Sequence, residues 1–206
     1  MLRGRLGGIV VAAGLVCWPA VSEAQRLEVT PFVGYRFGGG FFERVTGRPV
    51  DLDGARAVGA MLNVRVADGL FVEAFVTHQA ARVTVPAGPF GPPVDWRITV
   101  DHWQGGALQE FGTSPSVRPF VTGLLGLTRY AAAGDDEIRF SVSGGGGVKL
   151  MPARRVGVRL DGRVFATFAY VDAQVLACGP GICLTRLYAD IVWQAEFSAG
   201  LVVAFP

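Results

Sequence analysis

Ten charged residues stand where a charge needs company. Glu28, Arg65, Glu73, Glu110, Arg118, Lys149, Arg159, Asp161, Arg163 and Glu196 all lie in stretches that alternate apolar with small or polar residues, each on the polar side. If that side is enclosed, these nearly matched acids and bases must pair, because an unpaired buried charge is strongly unfavourable. The chemistry they suggest is an ion-pair network, a polar plug that fixes strand register. Within it, Glu196 is expected to pair with Arg163 or Arg159, which share a face of the preceding alternating stretch.

Other reactive residues are few. Cys178 and Cys183 flank Gly179-Pro180-Gly181-Ile182. A metal site needs more Cys or His close by, and a redox pair favours two intervening residues rather than four. In an exported chain a disulfide closing a surface loop is the expected state of this pair. The glycine clusters Gly38–Gly40 and Gly144–Gly147 lack the Gly-Lys-Ser/Thr ending and the strand-then-helix setting of a phosphate cradle. No cofactor or metal is expected, and the chain is not expected to be an enzyme.

The elements that must position the charges are strands. The stretch Ile191–Pro206 sets the pattern. Ile191, Trp193, Ala195, Phe197, Ala199, Leu201, Val203 and Phe205 alternate with Val192, Gln194, Glu196, Ser198, Gly200, Val202 and Ala204. Period two over such a length means a strand. Its apolar set carries aromatics near both ends and smaller aliphatics between them, as a strand crossing a bilayer does.

Similar alternation marks Arg26–Phe37, Ala55–Val66, Leu70–Arg82, Arg97–Phe111, Arg118–Ala131, Ile138–Leu150 and Val156–Val171. The connections between the eight strands run alternately long and short. Gly38–Gly54, Val83–Trp96, Ala132–Glu137 and Asp172–Asp190 are expected to be loops at one end, the proline-rich second of them without strand. Ala67–Gly69, Gly112–Val117 and Met151–Arg155 are turns at the other end. The expected fold is all-β, an eight-stranded antiparallel up-and-down transmembrane barrel, whose closure removes the edges that lipid does not tolerate. Such a barrel has an interior that side chains just fill, whereas a diffusion pore wants about sixteen strands.

Outward aromatics gather at the two ends. Tyr35, Phe37, Phe140, Phe168, Tyr170 and Trp193 lie toward the loops, and Phe111 and Phe205 toward the turns, as two interfacial girdles. Half of the residues are hydrophobic and the mean hydropathy is +0.39. Beyond the first residues, however, no apolar run approaches the roughly 20 residues of a spanning helix. A formal charge of +2 gives no footing for nucleic acid.

The front of the chain has the form of a cleaved secretory signal. Arg3 and Arg5 precede an apolar Leu6–Trp18, and Ser22-Glu23-Ala24 offers small residues for cleavage. The expected organisation is a signal peptide over 1–24 and one barrel over 25–206.

The closing strand Phe197–Phe205, the opening Val29-Thr30-Pro31-Phe32-Val33-Gly34-Tyr35 and Arg118-Pro119-Phe120-Val121 resemble the small bacterial outer-membrane barrels of the OmpA-like and OmpX-like kind. The resemblance implies residence in the bacterial outer membrane, contact with its lipids and lipopolysaccharide, and a monomer. It also implies that the last strand is read by the barrel-insertion machinery. Some relatives in that membrane are lipid hydrolases with His followed two residues later by Ser. Here Ala80 follows His78 and Gln104 follows His102, so both histidines are expected to be plain interior or interfacial residues. Two functions stay open: a structural or surface-interaction protein acting through long outer loops, and a narrow conduit for small, apolar solutes. A soluble lipocalin-like barrel would put the apolar side inward, so the direction in which Arg159, Asp161 and Arg163 point decides between those folds.

Overall fold

Among the described residues, the computed structural model has twelve strands: β1 (Leu27–Gly38), β2 (Gly40–Glu43), β3 (Pro49–Asp51), β4 (Ala55–Ala67), β5 (Leu70–Val85), β6 (Val94–Glu110), β7 (Val117–Ala132), β8 (Asp135–Leu150), β9 (Val156–Phe168), β10 (Ala173–Val175), β11 (Thr185–Tyr188) and β12 (Ile191–Phe205). The structure describes residues 27–43, 49–85, 94–112, 114, 116–132, 135–168, 173–175, 185–188 and 191–205. Eight strands close into an antiparallel barrel in the order β1-β12-β9-β8-β7-β6-β5-β4. The first barrel strand thus meets the last, and no edge is left open.

Period-two patterning decides which way each side chain points. On β5, Phe71, Glu73, Phe75, Thr77 and Gln79 are buried, while Val72, Ala74, Val76 and His78 are exposed. On β12, Val192, Gln194, Glu196, Val202 and Ala204 are buried, while Ile191, Trp193, Phe197, Leu201 and Phe205 are exposed. Arg159, Asp161 and Arg163 point inward on β9 and are almost fully buried. This is a lipocalin turned inside out. Phe197 is 67% exposed, Val33 64% and Leu125 60%. They belong to an outer wall that is apolar around the barrel, well beyond the patches that water-soluble proteins show.

The register fixes the tilt. Followed from strand to strand, the paired residues run Phe205, Leu27, Val64, Val72, Ala107, Gly123, Gly144, Val164 and Ala195. The path returns to β12 roughly ten residues above its start, a stagger that goes with strands tilted by about 35–45°. Asp68 and Gly69 make the tightest turn at the lower end, where Gly69 has a φ of 69° that a side chain would strain.

The upper end departs from the sequence reading. Val83–Trp96 is not free of strand: Val83 pairs with Trp96 and Val85 with Val94. The prolines begin only at Pro86, beyond the last paired residue Val85, so none of them falls in this ladder. Ala132–Glu137 is also mostly ladder, with Ala132 opposite Asp135. Gly38–Gly54 and Asp172–Asp190 are more than loops. Within them, β10, β11, β2 and β3 form a separate four-stranded sheet in that order. Strands of three or four residues are too short for alternation to announce. Arg26 and residues 169–171, placed in strands by the pattern, lie outside the described residues, as do 1–24.

Candidate functional site

The interior is the site, and it is filled in three tiers. The lowest is built on Lys149 of β8. Its Nζ lies 2.7 Å from Oε2 of Glu28 on β1 and 2.8 Å from Oε1 of Glu110 on β6. Arg118 of β7 reaches the other oxygen of Glu110 at 3.8 Å. Phe71 supplies a floor for the cations: Lys149 Nζ is 4.5 Å and the Arg65 guanidinium 5.7 Å from its ring centre. Phe71, Leu108 and Phe120 form an apolar cluster here.

The middle tier crosses the whole lumen. Glu73 on β5 faces β9, four strands away in either direction around the barrel. Its Oε2 accepts from Arg159 Nη1 at 2.6 Å and Asn63 Nδ2 at 2.9 Å. Its Oε1 accepts from Arg163 Nη2 at 2.9 Å and Thr122 Oγ1 at 3.2 Å. Asp161 takes both Nε and Nη2 of Arg159, at 3.1 and 2.5 Å, and lies 3.4 Å from Arg163 Nη2. The two guanidinium groups rest on rings, Arg159 4.2 Å from the centre of Phe120 and Arg163 4.4 Å from that of Phe75. A cation over an aromatic face gains most where water is excluded, as it is here.

The upper tier is centred on Arg36 of β1. It donates Nε and Nη2 to Oε2 of Glu196 on β12, at 3.0 and 2.6 Å, and Nη2 also reaches Thr77 Oγ1 at 3.0 Å. Phe165 lies between Arg36, at 4.7 Å, and the stacked ring of His102, at 4.4 Å. His102 is fully buried, with Nδ1 2.8 Å from Thr128 Oγ1. Gln104 bonds Ser141 and Ser143 on β8, at 2.9 and 2.6 Å. Between the middle and upper charges, Phe32, Met61, Phe75, Leu124 and Phe165 make an apolar layer, with Phe32 and Phe75 stacked at 5.5 Å.

All ten charges named from the sequence therefore face the lumen side of their strands, but the expected pairing of Glu196 is corrected. Glu196 is opposite Arg163 in the β12–β9 register and opposite Arg36 in the β1–β12 register. Its carboxylate goes to Arg36, because Arg163 reaches across the lumen to Glu73 and Asp161 instead. The set of charges read from the sequence does not include Arg36. It has the parity of Glu28, Thr30 and Phe32, a signal that would have found it, but it sits two residues from the strand end, where a charge reads as rim.

Outside, the aromatic girdle residues Tyr35, Phe37, Phe140, Phe168 and Trp193 are exposed toward the loop end, and Phe111 and Phe205 toward the turn end. Phe140 stacks on Phe168 at 5.9 Å. Trp103 and Phe197 belong with the upper group and were not assigned to it; the Phe197 ring is 6.1 Å from that of Phe37. Tyr170, Cys178 and Cys183 lie outside the described residues.

No family model and no curated protein matches the chain. Among solved structures it is similar to Neisserial surface protein A, with 14% identity, a TM-score of 0.56 and coverage of 87% of this chain and 97% of that one. It is likewise similar to outer membrane protein OprG from Pseudomonas aeruginosa, with 14% identity, a TM-score of 0.58 and coverage of 89% and 97%. Closed eight-stranded topology, an inverted hydrophobic pattern and these two likenesses agree: the chain has the fold of the small barrels of bacterial outer membranes.

Proposed function

We propose that this protein is a non-enzymatic barrel of the outer membrane that closes its own lumen and works through its outer end. The observation that carries the reading is the Glu73–Arg159–Arg163 bridge across the full width of the interior. With Lys149–Glu28 below and Arg36–Glu196 above, any straight path meets three layers of paired charge and ring. The work is left to the end where β2, β3, β10 and β11 make a sheet beyond the barrel, a platform suited to surface contacts. The similar barrel from Neisseria is itself named a surface protein. The test is electrical. Purified protein in a planar bilayer should give no stepwise conductance, and steady open channels would refute a closed lumen.

One observation favours the narrow-conduit reading, in a lateral form. Pairing of β1 with β12 lapses between Val29–Val203 and Phe32–Gly200, where Pro31 has no N–H to donate. A shallow apolar depression, open to the outside, lies at this seam, lined by Pro31, Phe32, Val33, Val158, Ala199, Gly200 and Leu201. Uptake of a small apolar solute into vesicles carrying the protein, abolished by Ala199→Phe, would favour that route.

A further inference from the structure

The upper tier of the lumen holds more hydrogen-bonding capacity than it uses. Both the oxygen and the nitrogen of the Gln194 amide are buried without a hydrogen bond, and so are Gln79 Oε1, Arg36 Nη1 and His102 Nε2. All four side chains are almost completely buried. Buried polar groups are nearly always paired, so a cluster of unpaired ones calls for a partner. These converge. Phe165 is sandwiched between Arg36 and His102, and Gln79 Nε2 donates to the Arg36 carbonyl at 3.1 Å. Gln194 stands beside His102 Nε2 without a bond of normal geometry.

The group is enclosed below and above. Phe32, Met61, Phe75, Leu124 and Phe165 form the apolar layer beneath it. On the outer side Leu52 is buried, although Asp53 and Gly54 after it are exposed. The strap that carries Leu52 is tied on both flanks. Leu52 N–H donates to the Gly39 carbonyl at 2.8 Å and Asp53 N–H to the Arg82 carbonyl at 2.9 Å. A Cβ on Gly39 would stand 3.3 Å from Leu52 Cδ2 and 3.4 Å from Gln194 Nε2, which sets the leucine next to the unpaired amide.

We propose that this part of the lumen is a dead-end receptor chamber for a small neutral primary amide, entered from the outer end past Leu52. A carboxamide with both atoms unpaired matches another primary amide edge to edge, each giving an N–H to the other's oxygen. Arg36 Nη1 adds a donor for the ligand carbonyl, and Gln79 Oε1 an acceptor for its second N–H. Charge selects a neutral ligand. Arg36 is already matched by Glu196, and Arg139 nearer the mouth by Glu137. An anion would therefore bring in buried charge with no cation left to balance it. Width selects a small ligand, because side chains nearly fill an eight-stranded lumen. The apolar layer stops a polar solute from going deeper.

The test exploits the two histidines of the chain. His102 lies in the chamber, and His78 is on the outer wall with its side chain 56% exposed. The full chain, isotope-labelled in histidine, is titrated in detergent micelles while the ring-nitrogen NMR signals are followed. Acetamide should shift His102 saturably and leave His78 in place. Acetate has the same shape with a charge, and dimethylacetamide has no N–H. Both should bind about tenfold or more weakly. Leu52→Ala should speed exchange without weakening binding, whereas Gln194→Leu should weaken it about tenfold or more. Equal binding of acetate or dimethylacetamide would overturn the amide assignment. No saturable shift at His102 would mean that water alone satisfies these groups, and the chamber would fall. If Gln194→Leu no longer migrates as a folded barrel, the ligand series on the parent protein still decides. The proposal rests on the closed-lumen reading only in being a dead end. Saturable binding by protein that conducts in a planar bilayer would keep the site and sink the closed lumen.

Discussion

Arg36 and Glu196 are 160 positions apart in the chain and meet at 2.6 Å, both buried, where the first strand of the barrel closes on the last. The pair locks the one seam of the barrel that no turn connects. It also borders Arg163, which lies opposite Glu196 on the other side but makes its bonds across the lumen.

That arrangement predicts which double variant recovers stability. Glu196→Ala leaves Arg36 buried and uncompensated, and unfolding in urea should show a loss of about 3–5 kcal/mol. Adding Arg36→Ala should return a large part of it. Adding Arg163→Ala should instead deepen the loss, because it removes a second network. Recovery by Arg163→Ala and not by Arg36→Ala would show the pairing to be the other one.

Glu73 should be the most sensitive single position in the lumen. Glu73→Gln keeps the shape but leaves Arg159 and Arg163 sharing only Asp161. A loss of about 3–5 kcal/mol is expected. Replacing Glu73, Arg159 and Arg163 together by alanine removes the orphaned charges along with the plug. This variant should fold and should conduct ions in a planar bilayer where the parent does not. A silent triple variant that is correctly folded would mean that the other two tiers suffice to close the lumen.

The outer wall can be probed by depth. Leu160 is exposed near the middle of β9, and Val117 is exposed at the turn end of β7. In lipid, Leu160→Arg should cost about 2–4 kcal/mol and Val117→Arg about 0–1 kcal/mol. Similar small effects at both sites in refolding measurements would argue against a bilayer around this wall.

The Cys178–Cys183 disulfide remains a proposal from the sequence. Thiol labelling of the denatured, unreduced protein should find neither cysteine free, and two labelled residues would end the idea. The ring such a bond closes is small, so reduction should change loop behaviour more than barrel stability.

The barrel is legible in the alternation of residue types. Alternation is a local property: a residue's parity within its strand sets the face it occupies, whatever the strand's neighbours. Eight alternating runs were therefore enough to place Glu73, Arg159 and Glu196 inside and Phe197 outside. Parity also held the answer for Arg36, which proximity to the strand end obscured. The partners were another matter. Glu73 and Arg159 are 86 positions apart, and their meeting depends on a stagger of about ten residues accumulated over eight strand pairs and on a lumen narrow enough to cross. The choice of Glu196 between two arginines equally opposite it depends on what else each arginine can reach. The same holds at the outer end. Arg82 and Arg97 flank a stretch that the sequence reads as loop, and only the hairpin register sets them face to face. Strand parity is written every two residues; which charges touch is decided when the sheet closes, because distance across a lumen is a property of the whole ring.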